Sequence, residues 1–469
     1  MLPKVVLYNP KAVFWTMPLA LTAIGSALDR NRYRVVIVDG RLDPPESLLA
    51  HLEDALCLGM TVLTGAPLKD ALAVGDLVAE RFPNLPIVWG GWHPSLFPAL
   101  CARRKSVTAA VTGQGEETFA EILGRLAEGK DLSGVPGCVF RNPSGEVHAN
   151  PPRPLQNINA FPAHDFGLFD VSRYFEKKER RQLDYISSQG CRFRCHFCAD
   201  PAVYRRGWFG YEPERVVDEL RFLWSRYGFT DLAFQDETFF TQRRRVAQIA
   251  EGFLKHNLTF TWAGTMRADQ GRRLDEETFA LCRRSGLRQV IVGLEAGAQT
   301  TIDAIEKDIK IEDMWLTAER LVKHGIGAVI NVIVGFPDES TESVNETLRV
   351  ARELRKMSSG FQLSVFYFKP YPGNPIADRL GAQGYRFPAT LEEWGDFDYI
   401  GSGNPWLSPV QIREIESFKF YQAYAYDERR SLWRWPLKRL SRWRVERPAY
   451  GFPWEKAIIQ RMRPSQPLS

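Results

Sequence analysis

Residues 190–200 read GCRFRCHFCAD and come just after a strand-like stretch, LDYISS at residues 183–188. Cys191, Cys195 and Cys198 therefore share one short loop, at spacings of four and then three residues. Such a loop can wrap three thiolates around one face of an iron–sulfur cubane and leave the fourth iron without a protein ligand. An open iron lets a cluster bind and reduce a small molecule. A zinc knuckle, which also uses closely spaced cysteines but normally needs a fourth ligand, is the alternative.

Strands and helices alternate regularly from residue 183 to about residue 370. The strand-like segments are, in order, LDYISS, DLAFQD, FTWAG, RQVIVGLE, AVINVIVGF and FQLSVFYF. A helical pattern separates each pair, which is the arrangement of parallel β/α units. The pattern predicts a partial (β/α)6 barrel over residues 181–385, with active residues at the carboxyl ends of its strands.

The preceding part of the chain follows a similar rhythm. Short β-branched runs such as KVVLYN, YRVVIVD and PIVWGG alternate with helical patterns. This predicts an α/β protein that starts with an open, doubly wound Rossmann-like domain over residues 1–135. Residues 136–180 are rich in Pro, Gly and Asn and predict a surface linker. Residues 386–469 lack a strand pattern and predict a mainly helical C-terminal cap.

The composition describes a folded, soluble protein. Of 469 residues, 44% are hydrophobic and 25% are charged, and the formal net charge of +5 is too small to favour nucleic acid as a partner. No apolar run approaches the roughly 20 residues that span a bilayer. We expect no signal peptide, since MLPKVVLYNP shows no basic segment followed by an apolar stretch and a cleavage site. Clustered cysteines fit a reducing compartment, so we expect a cytoplasmic protein. The four scattered cysteines are predicted to be small buried hydrophobes: Cys57, Cys101, Cys138 and Cys282.

The segment CRFRCHFC, after the first strand of a β/α repeat, resembles the signature of the radical S-adenosylmethionine (SAM) superfamily. This resemblance implies that Cys191, Cys195 and Cys198 are the catalytic cysteines that hold a [4Fe–4S] cluster. It further implies that the open iron binds the methionine amine and carboxylate of SAM, and that one electron cleaves SAM to a 5′-deoxyadenosyl radical. Phe197 is then expected near the adenine.

Further SAM contacts are expected at the strand ends. Glu295, in VGLEAG, corresponds to the acidic residue that binds the ribose hydroxyls of SAM in similar proteins. A carboxylate at the end of an apolar strand contributes little to the structure, which favours this functional role. Asp236 and Glu237 offer carboxylates to an ammonium or a polar substrate group, or else end a loop or cap a helix. Arg267, in TMRAD, suits a carboxylate, either of SAM or of an ordinary salt bridge.

The loop GFPDES resembles the fifth-strand loop of the superfamily, whose backbone lies along the adenine. Gly335 and Pro337 are expected there, and both residues also suit a plain turn. The full set expected to bind SAM is Phe197, Asp236, Glu237, Arg267, Glu295, Gly335 and Pro337.

The first domain carries part of a second signature. Thr61-Val62-Leu63 ends one strand and Gly90-Gly91 ends a later one, which resembles the second half of the cobalamin-binding signature. The first half, Asp-x-His-x-x-Gly, is replaced by FWTMPL at residues 14–19, so no histidine stands there as a lower cobalt ligand. The resemblance therefore implies cobalamin bound without that histidine. The residues expected to bind it are Thr61, Leu63, Thr64, Gly90, Gly91 and Gly113.

A flavodoxin-like domain that has kept the fold and lost the cofactor is the alternative. His93 in GGWHPS and Glu116 in GQGEET belong to segments that recur in similar proteins. We expect a structural histidine and a helix start, and we assign neither residue a catalytic role.

The C-terminal segment 427–455 interleaves Arg and Lys with Trp, Leu and Tyr. A packed helical cap with snorkelling arginines is the expected structure. Weak peripheral contact with a membrane stays open as an alternative, because Trp and Arg suit a headgroup boundary. Nucleic acid is not expected, since no recognised RNA-binding module accompanies these residues.

The combined resemblance points to a B12-dependent radical SAM enzyme. It is similar to the group that contains the anaerobic Mg-protoporphyrin monomethyl ester cyclase and the hopanoid and bacteriochlorophyll methylases. The resemblance implies methylation of an unactivated carbon of an apolar metabolite, such as an isoprenoid, a tetrapyrrole or a natural product. Oxidative cyclisation is the runner-up, and a non-catalytic cobalamin or redox-binding protein is a third hypothesis. The chemistry also implies an electron donor of flavodoxin or ferredoxin type.

Overall fold

The computed structural model of the protein describes residues 2–142, 144–397, 401, 403–426, 435–447, 450, 453–456 and 459. The chain divides into two compact units. The first contains residues 1–237 and 370–399, and the second contains residues 238–369 and 400–469. The division falls inside the region predicted as the barrel, so each unit is described by itself.

The first unit opens with a seven-stranded sheet. Its strands are β1 (Lys4–Asn9), β2 (Arg34–Asp39), β3 (Ala55–Thr61), β4 (Ile87–Gly90), β5 (Ala109–Val111), β6 (Cys138–Arg141) and β7 (Val147–Ala149). Its helices are α1 (Leu19–Ala27), α2 (Pro45–Leu52), α3 (Ala66–Arg81), α4 (Trp92–Leu96), α5 (Pro98–Arg103) and α6 (Glu116–Ala127). The strand order is β2-β1-β3-β4-β5-β6-β7, with the first five strands parallel.

Helices cover both faces of this sheet, as predicted for a doubly wound domain. Successive residues of β1 point to opposite faces, and both faces are buried. Val6 joins a core with α2 and α3, and Val5 joins a second core with α1 and α6. The strand order reverses between β1 and β3, and ligands of such sheets bind there, beyond the carboxyl ends of the strands.

The segment predicted as a surface linker is partly built into the sheet. β6 pairs antiparallel with β5, and β7 pairs antiparallel with β6. Between them, the Glu146 N–H donates to Asn142 Oδ1 at 2.8 Å. After this hairpin the chain forms α7 (Val171–Lys177), which Asp170 caps. The expectation of a purely irregular linker missed these strands because each is only three or four residues long and lies among prolines and glycines.

The rest of this part of the first unit holds the cysteine loop. It contains β8 (Gln182–Tyr185), β9 (Ser188–Gly190), α8 (Asp200–Tyr204), β10 (Trp208–Gly210), α9 (Pro213–Tyr227) and β11 (Asp231–Phe234). β8 and β11 pair in parallel, and β9 and β10 form a separate antiparallel ribbon. α9 has Pro213 in its first turn and ends at Gly228, whose φ of 56° provides the left-handed cap common at helix ends.

The second unit contains four parallel strands that pair in chain order. They are β12 (Thr261–Arg267), β13 (Leu287–Glu295), β14 (Gly327–Val334) and β15 (Phe361–Tyr367). The helices between residues 238 and 369 are α10 (Arg243–Lys255), α11 (Ala268–Arg273), α12 (Glu276–Arg284), α13 (Gln299–Ala304), α14 (Ile311–Lys323) and α15 (Thr341–Met357). With β8 and β11 of the first unit, these strands account for the six predicted β/α units.

The remaining helices fall in both units. α16 (Pro375–Ala382) and α17 (Leu391–Gly395) belong to the first, and α18 (Pro409–Ala425) and α19 (Trp435–Glu446) belong to the second. Parts of the Trp- and Arg-rich segment, residues 427–434, 448–449 and 451–452, lie outside the described residues. The expected packed cap and its alternative, weak membrane contact, therefore both stay predictions. Within the described ranges, no helix is long and apolar enough to cross a bilayer. The four scattered cysteines are buried, as predicted: Cys57, Cys101, Cys138 and Cys282.

Candidate cluster and cofactor sites

The cysteine loop is closed at its base by the β9–β10 ribbon, in which Gly190 faces Trp208. Gly190 has a φ of 86°, and a Cβ there would collide with the Gly207 carbonyl oxygen. Only glycine fits this close approach without a shift of the backbone. The ribbon therefore fixes both ends of residues 191–207, the segment that carries all three cysteines.

The three cysteine side chains lie near one another. Cys195 is buried, and Cys191 and Cys198 are half-buried. The Cys198 N–H donates to the Cys195 carbonyl at 3.2 Å. Burial raises the pKa of Cys198 well above its usual value, and the charges of Asp200, Cys195 and Cys191 raise it further. Among the described residues, no three His, Cys, Asp or Glu side chains converge to hold one metal ion. A cubane takes each thiolate on a separate iron, which suits three neighbouring cysteines of one loop.

Phe197 is held by the loop that precedes α16. The Asn374 side-chain N–H donates to the Phe197 carbonyl at 3.2 Å, and the Ile376 N–H donates to the His196 carbonyl at 3.4 Å. Asn374 is buried, and its side-chain oxygen caps α16. The segment PYPGNP, which is an unspecific turn in the sequence, thus supports the cysteine loop.

The Asp236 carboxylate accepts hydrogen bonds from residues of the first unit. It is buried and accepts three hydrogen bonds of 2.7 Å, from the Ser187 N–H, Ser187 Oγ and Ser188 Oγ. These bonds hold the junction of β8 and β9, directly before the cysteine loop. The expected contact of Asp236 with SAM stays a prediction, and its observed partners make it a support for the loop.

A cleft with about 980 Å³ of empty space opens at the carboxyl edge of the first sheet. Side chains of α1 and α6, such as Leu21 and Phe119, cover one side. Ser188 and Gln189, which lead into the cysteine loop, also line the cleft. Five glycines contribute backbone to its wall: Gly59, Gly90, Gly91, Gly113 and Gly115. Apolar walls with exposed peptide groups fit a large cofactor such as cobalamin.

Four of the six residues expected to bind cobalamin line this cleft: Thr61, Gly90, Gly91 and Gly113. Leu63 is 43% exposed. The Thr64 hydroxyl is buried, 3.0 Å from His93 Nδ1. Burial lowers the pKa of His93 to about 4, so its ring is neutral at pH 7. The expectation of a structural histidine agrees with this setting.

The loop that replaces the histidine signature, residues 14–19, is fixed by two buried side chains. Arg41 donates to the Thr16 carbonyl at 2.8 Å, and Asp184 accepts a hydrogen bond of 2.8 Å from the Met17 N–H. Both anchors bind backbone atoms. The loop therefore has a defined path beside the start of α1 although it lacks the expected histidine.

Glu237 also lines the cleft. Burial raises the pKa of Glu237 to about 8, with a further contribution from Asp200, and burial raises the pKa of Asp200 to about 6. Tyr204, which hydrogen bonds Glu237, has a pKa raised well above its usual value, mainly by burial. Glu116 begins α6 in the same cleft, and burial raises its pKa too. These carboxyls retain protons more readily than free acids, so they can donate as well as accept hydrogen bonds.

In the second unit, Glu295 ends β13 and pairs with Lys307, whose Nζ is 2.7 Å from Glu295 Oε1. Both residues are buried, and Glu295 has a left-handed φ of 64°. Gly293 leaves room for the pair, since a Cβ there would collide with the Glu295 carboxylate. Arg267 donates to the Lys307 carbonyl and, at 3.0 Å, to Asp269 Oδ1. Arg267 thus forms the ordinary salt bridge, and Lys307 is a candidate site residue with no motif to reveal it.

The GFPDES loop, in the same unit, is closed by Glu339. Its Oε2 accepts hydrogen bonds from the Gly335 N–H at 2.8 Å and the Phe336 N–H at 3.1 Å. Gly335 has a φ of 77°, and Asn404 donates to its carbonyl at 3.0 Å. Pro337 is half-buried. The loop has a turn-like backbone, and its expected contact with adenine stays a prediction.

Comparison with known proteins places this chain in a family. A profile of the radical SAM superfamily matches residues 185–351, and a profile of the B12 binding domain matches residues 7–123. An uncharacterized methyltransferase of Pyrococcus horikoshii is 30% identical over 366 residues, which cover 76% of this chain and 77% of that protein. The anaerobic magnesium-protoporphyrin IX monomethyl ester cyclase of Rubrivivax gelatinosus is 26% identical, covering 69% of this chain and 58% of the cyclase. The hopanoid C-3 methylase of Methylococcus capsulatus is 23% identical, covering 79% and 71%.

Two solved structures share the fold. The cobalamin-dependent SAM radical enzyme OxsB, with aqua-cobalamin and SAM bound, matches with a TM-score of 0.77 at 18% identity and covers 98% of this chain and 75% of OxsB. The radical SAM methyltransferase TsrM from Kitasatospora setae, with cobalamin and a [4Fe–4S] cluster bound, matches with a TM-score of 0.71 at 18% identity, covering 93% and 89%. The predicted fold class and the predicted family are confirmed. The chain belongs to the radical SAM superfamily and carries a B12 binding domain ahead of its radical SAM region.

Proposed function

We propose that this chain is a cobalamin-dependent radical SAM methyltransferase that transfers a methyl group to an unactivated carbon of an apolar small molecule. One observation carries the proposal. The glycine-walled cleft of the B12 binding domain is lined by Ser188 and Gln189, and Cys191 follows two residues later. The two cofactor sites are therefore joined by one short piece of backbone within the first unit.

The cofactors supply the chemistry that side chains lack. When bound, the [4Fe–4S] cluster supplies the electron that cleaves SAM, and cobalamin supplies the methyl group. In this proposal Cys191, Cys195 and Cys198 hold the cluster. Asp236 keeps the β8–β9 junction in place through its serine partners, and Asn374 fixes the backbone at Phe197.

The SAM contacts are proposed from the groups in each unit. We propose that Glu295 binds the ribose hydroxyls of SAM and that Lys307 orients the Glu295 carboxylate. In the second unit, the backbone at Gly335 and Pro337 is the proposed adenine contact, and in the first unit Phe197 stays a proposed SAM contact. Arg267 acts through Lys307, whose carbonyl it binds, rather than through a bidentate grip on SAM.

Cobalamin occupies the cleft in this proposal. The contacts come from Thr61, Gly90, Gly91 and Gly113, which line it, and no histidine of residues 14–19 binds the cobalt because none is present. Thr64 is fixed by His93, and Leu63 remains an expected contact of the same loop. Glu237 faces this cleft, so we move its proposed role from SAM to cobalamin.

We further infer an apolar substrate and an electron donor of flavodoxin or ferredoxin type. Relatives named for hopanoid and magnesium-protoporphyrin substrates support the apolar class. The donor follows from the need for one electron in each SAM cleavage.

The test is anaerobic reconstitution with iron, sulfide and hydroxocobalamin, followed by reduction in the presence of SAM with a deuterated methyl group. Mass spectrometry should find 5′-deoxyadenosine and deuterated methylcobalamin. Cys195→Ala should abolish the deoxyadenosine. A cluster without retained cobalamin would contradict the methylation mechanism, and the absence of a cluster would contradict the whole proposal.

Product mass separates methylation from oxidative cyclisation. A metabolite extract incubated with the reduced enzyme should contain a species heavier by one CH₂ unit that carries the deuterated methyl label. Insertion of oxygen with ring closure, without label, would assign the chain to the cyclase chemistry instead.

A further inference from the structure

One histidine lines the cleft in the part of the chain that the structure describes, and it comes from the segment predicted as a linker. This residue is His164, which lies beyond the B12 binding domain in the chain. We name residues 156–165 the strap, because they run from the edge of the cleft to α1. The first N–H of the strap donates to Gln114 Oε1 and the last donates to Ser26 Oγ, both at 2.8 Å.

The path of the strap is set by Arg215 of α9, which binds backbone atoms. Its guanidinium donates to three carbonyl oxygens of the strap: those of Asn159 at 3.2 Å, Phe161 at 2.9 Å and Pro162 at 3.0 Å. The Asn159 side chain in turn donates to the Gly210 carbonyl at 2.9 Å. A linker that only joined two domains would not need these contacts. The backbone that carries the histidine is therefore in place before a ligand binds, which lowers the cost of binding.

The two ring nitrogens of His164 have different surroundings. Nε2 lies 3.2 Å from the hydroxyl of Tyr211, which also lines the cleft. Nδ1 is buried and has no hydrogen-bond partner among the described residues. Burial, with a smaller contribution from the charge of Arg215, lowers the pKa of His164 to about 4. The ring is therefore neutral at pH 7 and carries a single N–H.

The tyrosine decides which nitrogen carries that proton. When the Tyr211 hydroxyl donates to Nε2, the N–H of the ring is on Nδ1. The ring centroids of Tyr185 and Tyr211 are 6.4 Å and 6.0 Å from that of His164, so aromatic rings surround the histidine within the protein. A buried N–H without an acceptor is unfavourable. The cleft is the place from which an acceptor can come.

We propose that His164 Nδ1 donates a hydrogen bond to an acceptor oxygen of the corrinoid that the cleft binds. The inference rests on the proposed function, because it takes the cleft to hold cobalamin. Cobalamin carries such oxygens in two places, on the amide side chains of its ring and on the phosphate of its nucleotide tail. The histidine is a binding residue in this role and forms no bond to cobalt. The strap thereby supplies a cofactor contact from outside the B12 binding domain.

The experiment uses the full chain with its reconstituted cluster and measures the binding of hydroxocobalamin by isothermal titration calorimetry. His164→Asn places an amide nitrogen as many bonds from Cβ as Nδ1, and His164→Gln places one as many bonds away as Nε2. His164→Gln should weaken binding by about tenfold or more, because it leaves the oxygen of the cofactor unpaired. His164→Asn should restore the affinity to within about threefold of the parent.

Cobinamide, which keeps the ring amides and lacks the nucleotide tail, identifies the acceptor. A loss of affinity in His164→Gln for cobalamin but not for cobinamide assigns the hydrogen bond to the phosphate of the tail. An equal loss for both corrinoids assigns it to an amide of the ring. Either result supports the inference.

His148→Gln is the matched control, because His148 is an exposed histidine of β7 in the same unit. It should bind both corrinoids like the parent. All variants should have the circular dichroism spectrum of the parent, which shows that a change in affinity does not come from unfolding.

Equal cobalamin affinities of His164→Gln and His148→Gln would overturn the inference and leave Nδ1 to a water molecule. An equal loss in His164→Asn and His164→Gln would also contradict it, since the packing of the ring and not its N–H would then be responsible. Nitrogen splitting in the electron paramagnetic resonance spectrum of bound cob(II)alamin that disappears in both variants would replace the hydrogen bond with a bond to cobalt. A parent protein that binds neither corrinoid would instead overturn the proposed function, and this is measured first.

Discussion

Glu295 has a left-handed backbone and a buried carboxylate, and both are uncommon for glutamate. A buried charge needs a partner, and Lys307 supplies it at 2.7 Å. Lys307 is held in turn by Arg267, which binds its carbonyl. Three residues from β12, β13 and the segment before α14 therefore act together, and Lys307 is best described as a positioning residue for Glu295.

Lys307→Met should raise the KM for SAM by about tenfold or more and leave kcat nearly unchanged, because an unpaired Glu295 binds substrate and transition state equally poorly. The readout is 5′-deoxyadenosine formation at varied SAM. Lys307→Arg keeps the charge and should restore much of the affinity. Lys310→Met changes an exposed lysine of the same segment and should match the parent. An unchanged KM in Lys307→Met would remove Lys307 from the SAM site.

Glu237 should make stability depend on pH. Its pKa is raised from 4.5 to about 8, mainly by burial, so the folded state binds the proton more tightly than the unfolded chain does. Its stabilising contribution is full below about pH 4.5 and is lost as pH rises through about 8. Glu237→Gln should therefore gain melting temperature relative to the parent between about pH 5 and pH 9.

Thermal melts of the cofactor-free chain at several pH values check this expectation. Glu214→Gln, at an exposed position of α9, is the control and should stay parallel to the parent. A constant difference in melting temperature between Glu237→Gln and the parent would contradict the raised pKa.

A single functional residue can be recognised in the sequence when its chemical partners are its neighbours in the chain. The three cysteines are predictable because one short loop carries all of them at a recognisable spacing. Lys307 and Asn374 are not, because each acquires its role from a partner that only the tertiary fold brings near. The sequence also gives no sign that the Asp236 carboxylate accepts hydrogen bonds from Ser187 and Ser188, while its expected contact with SAM stays a prediction.

At the scale of elements, the cleft depends on how closely β3 and β4 approach at their carboxyl ends. Gly91 follows β4 with a φ of 99°, and a Cβ there would lie 3.0 Å from both the N and O atoms of Val62. Thr61, at the end of β3, lines the cleft. A side chain at Gly91 must therefore displace part of the cleft wall.

Gly91→Ala should lower cobalamin affinity by about tenfold or more, since a backbone shift of a few tenths of an ångström removes contacts worth more than about 1.4 kcal/mol. Gly145→Ala is a close control, because Gly145 has a similar φ of 91° and nothing within 4 Å of a built Cβ. Both positions have a left-handed φ that disfavours alanine. Equal cobalamin retention after gel filtration in the two variants would show that the cleft does not hold the cofactor.

A strand or helix can be predicted from the sequence where the spacing of its apolar residues and the length of the segment indicate the same kind of element. The parallel strands of the first sheet and the six barrel units follow from apolar runs separated by helical patterns. β6 and β7 are not predictable in this way, because a strand of three or four residues has no measurable period. β6 is placed by pairing with β5, and β7 is placed by pairing with β6. The β9–β10 ribbon is equally short and is specified by Gly190, whose need for a left-handed backbone appears only in the fold.

At the scale of the whole molecule, the proposed cluster site and the cleft lie in the same unit, but different residues form them. Cys195→Ala should lose the iron–sulfur absorbance and keep cobalamin at the parent stoichiometry. Gly91→Ala should do the reverse. Metal analysis and absorption spectra of both variants test this. Loss of both cofactors in either variant would mean that one site cannot form without the other.

The β9–β10 ribbon fixes both ends of residues 191–207 through backbone pairing. Iron–sulfur clusters decay in air, and a loop that collapsed on losing iron would have to refold before it could be refilled. We expect the ribbon to hold the two ends of the loop after iron is lost, so that damage and repair become a cycle carried out on a folded protein. Repeated exposure to air, each followed by anaerobic addition of thiol, iron and sulfide, should restore the same deoxyadenosine yield while circular dichroism stays constant.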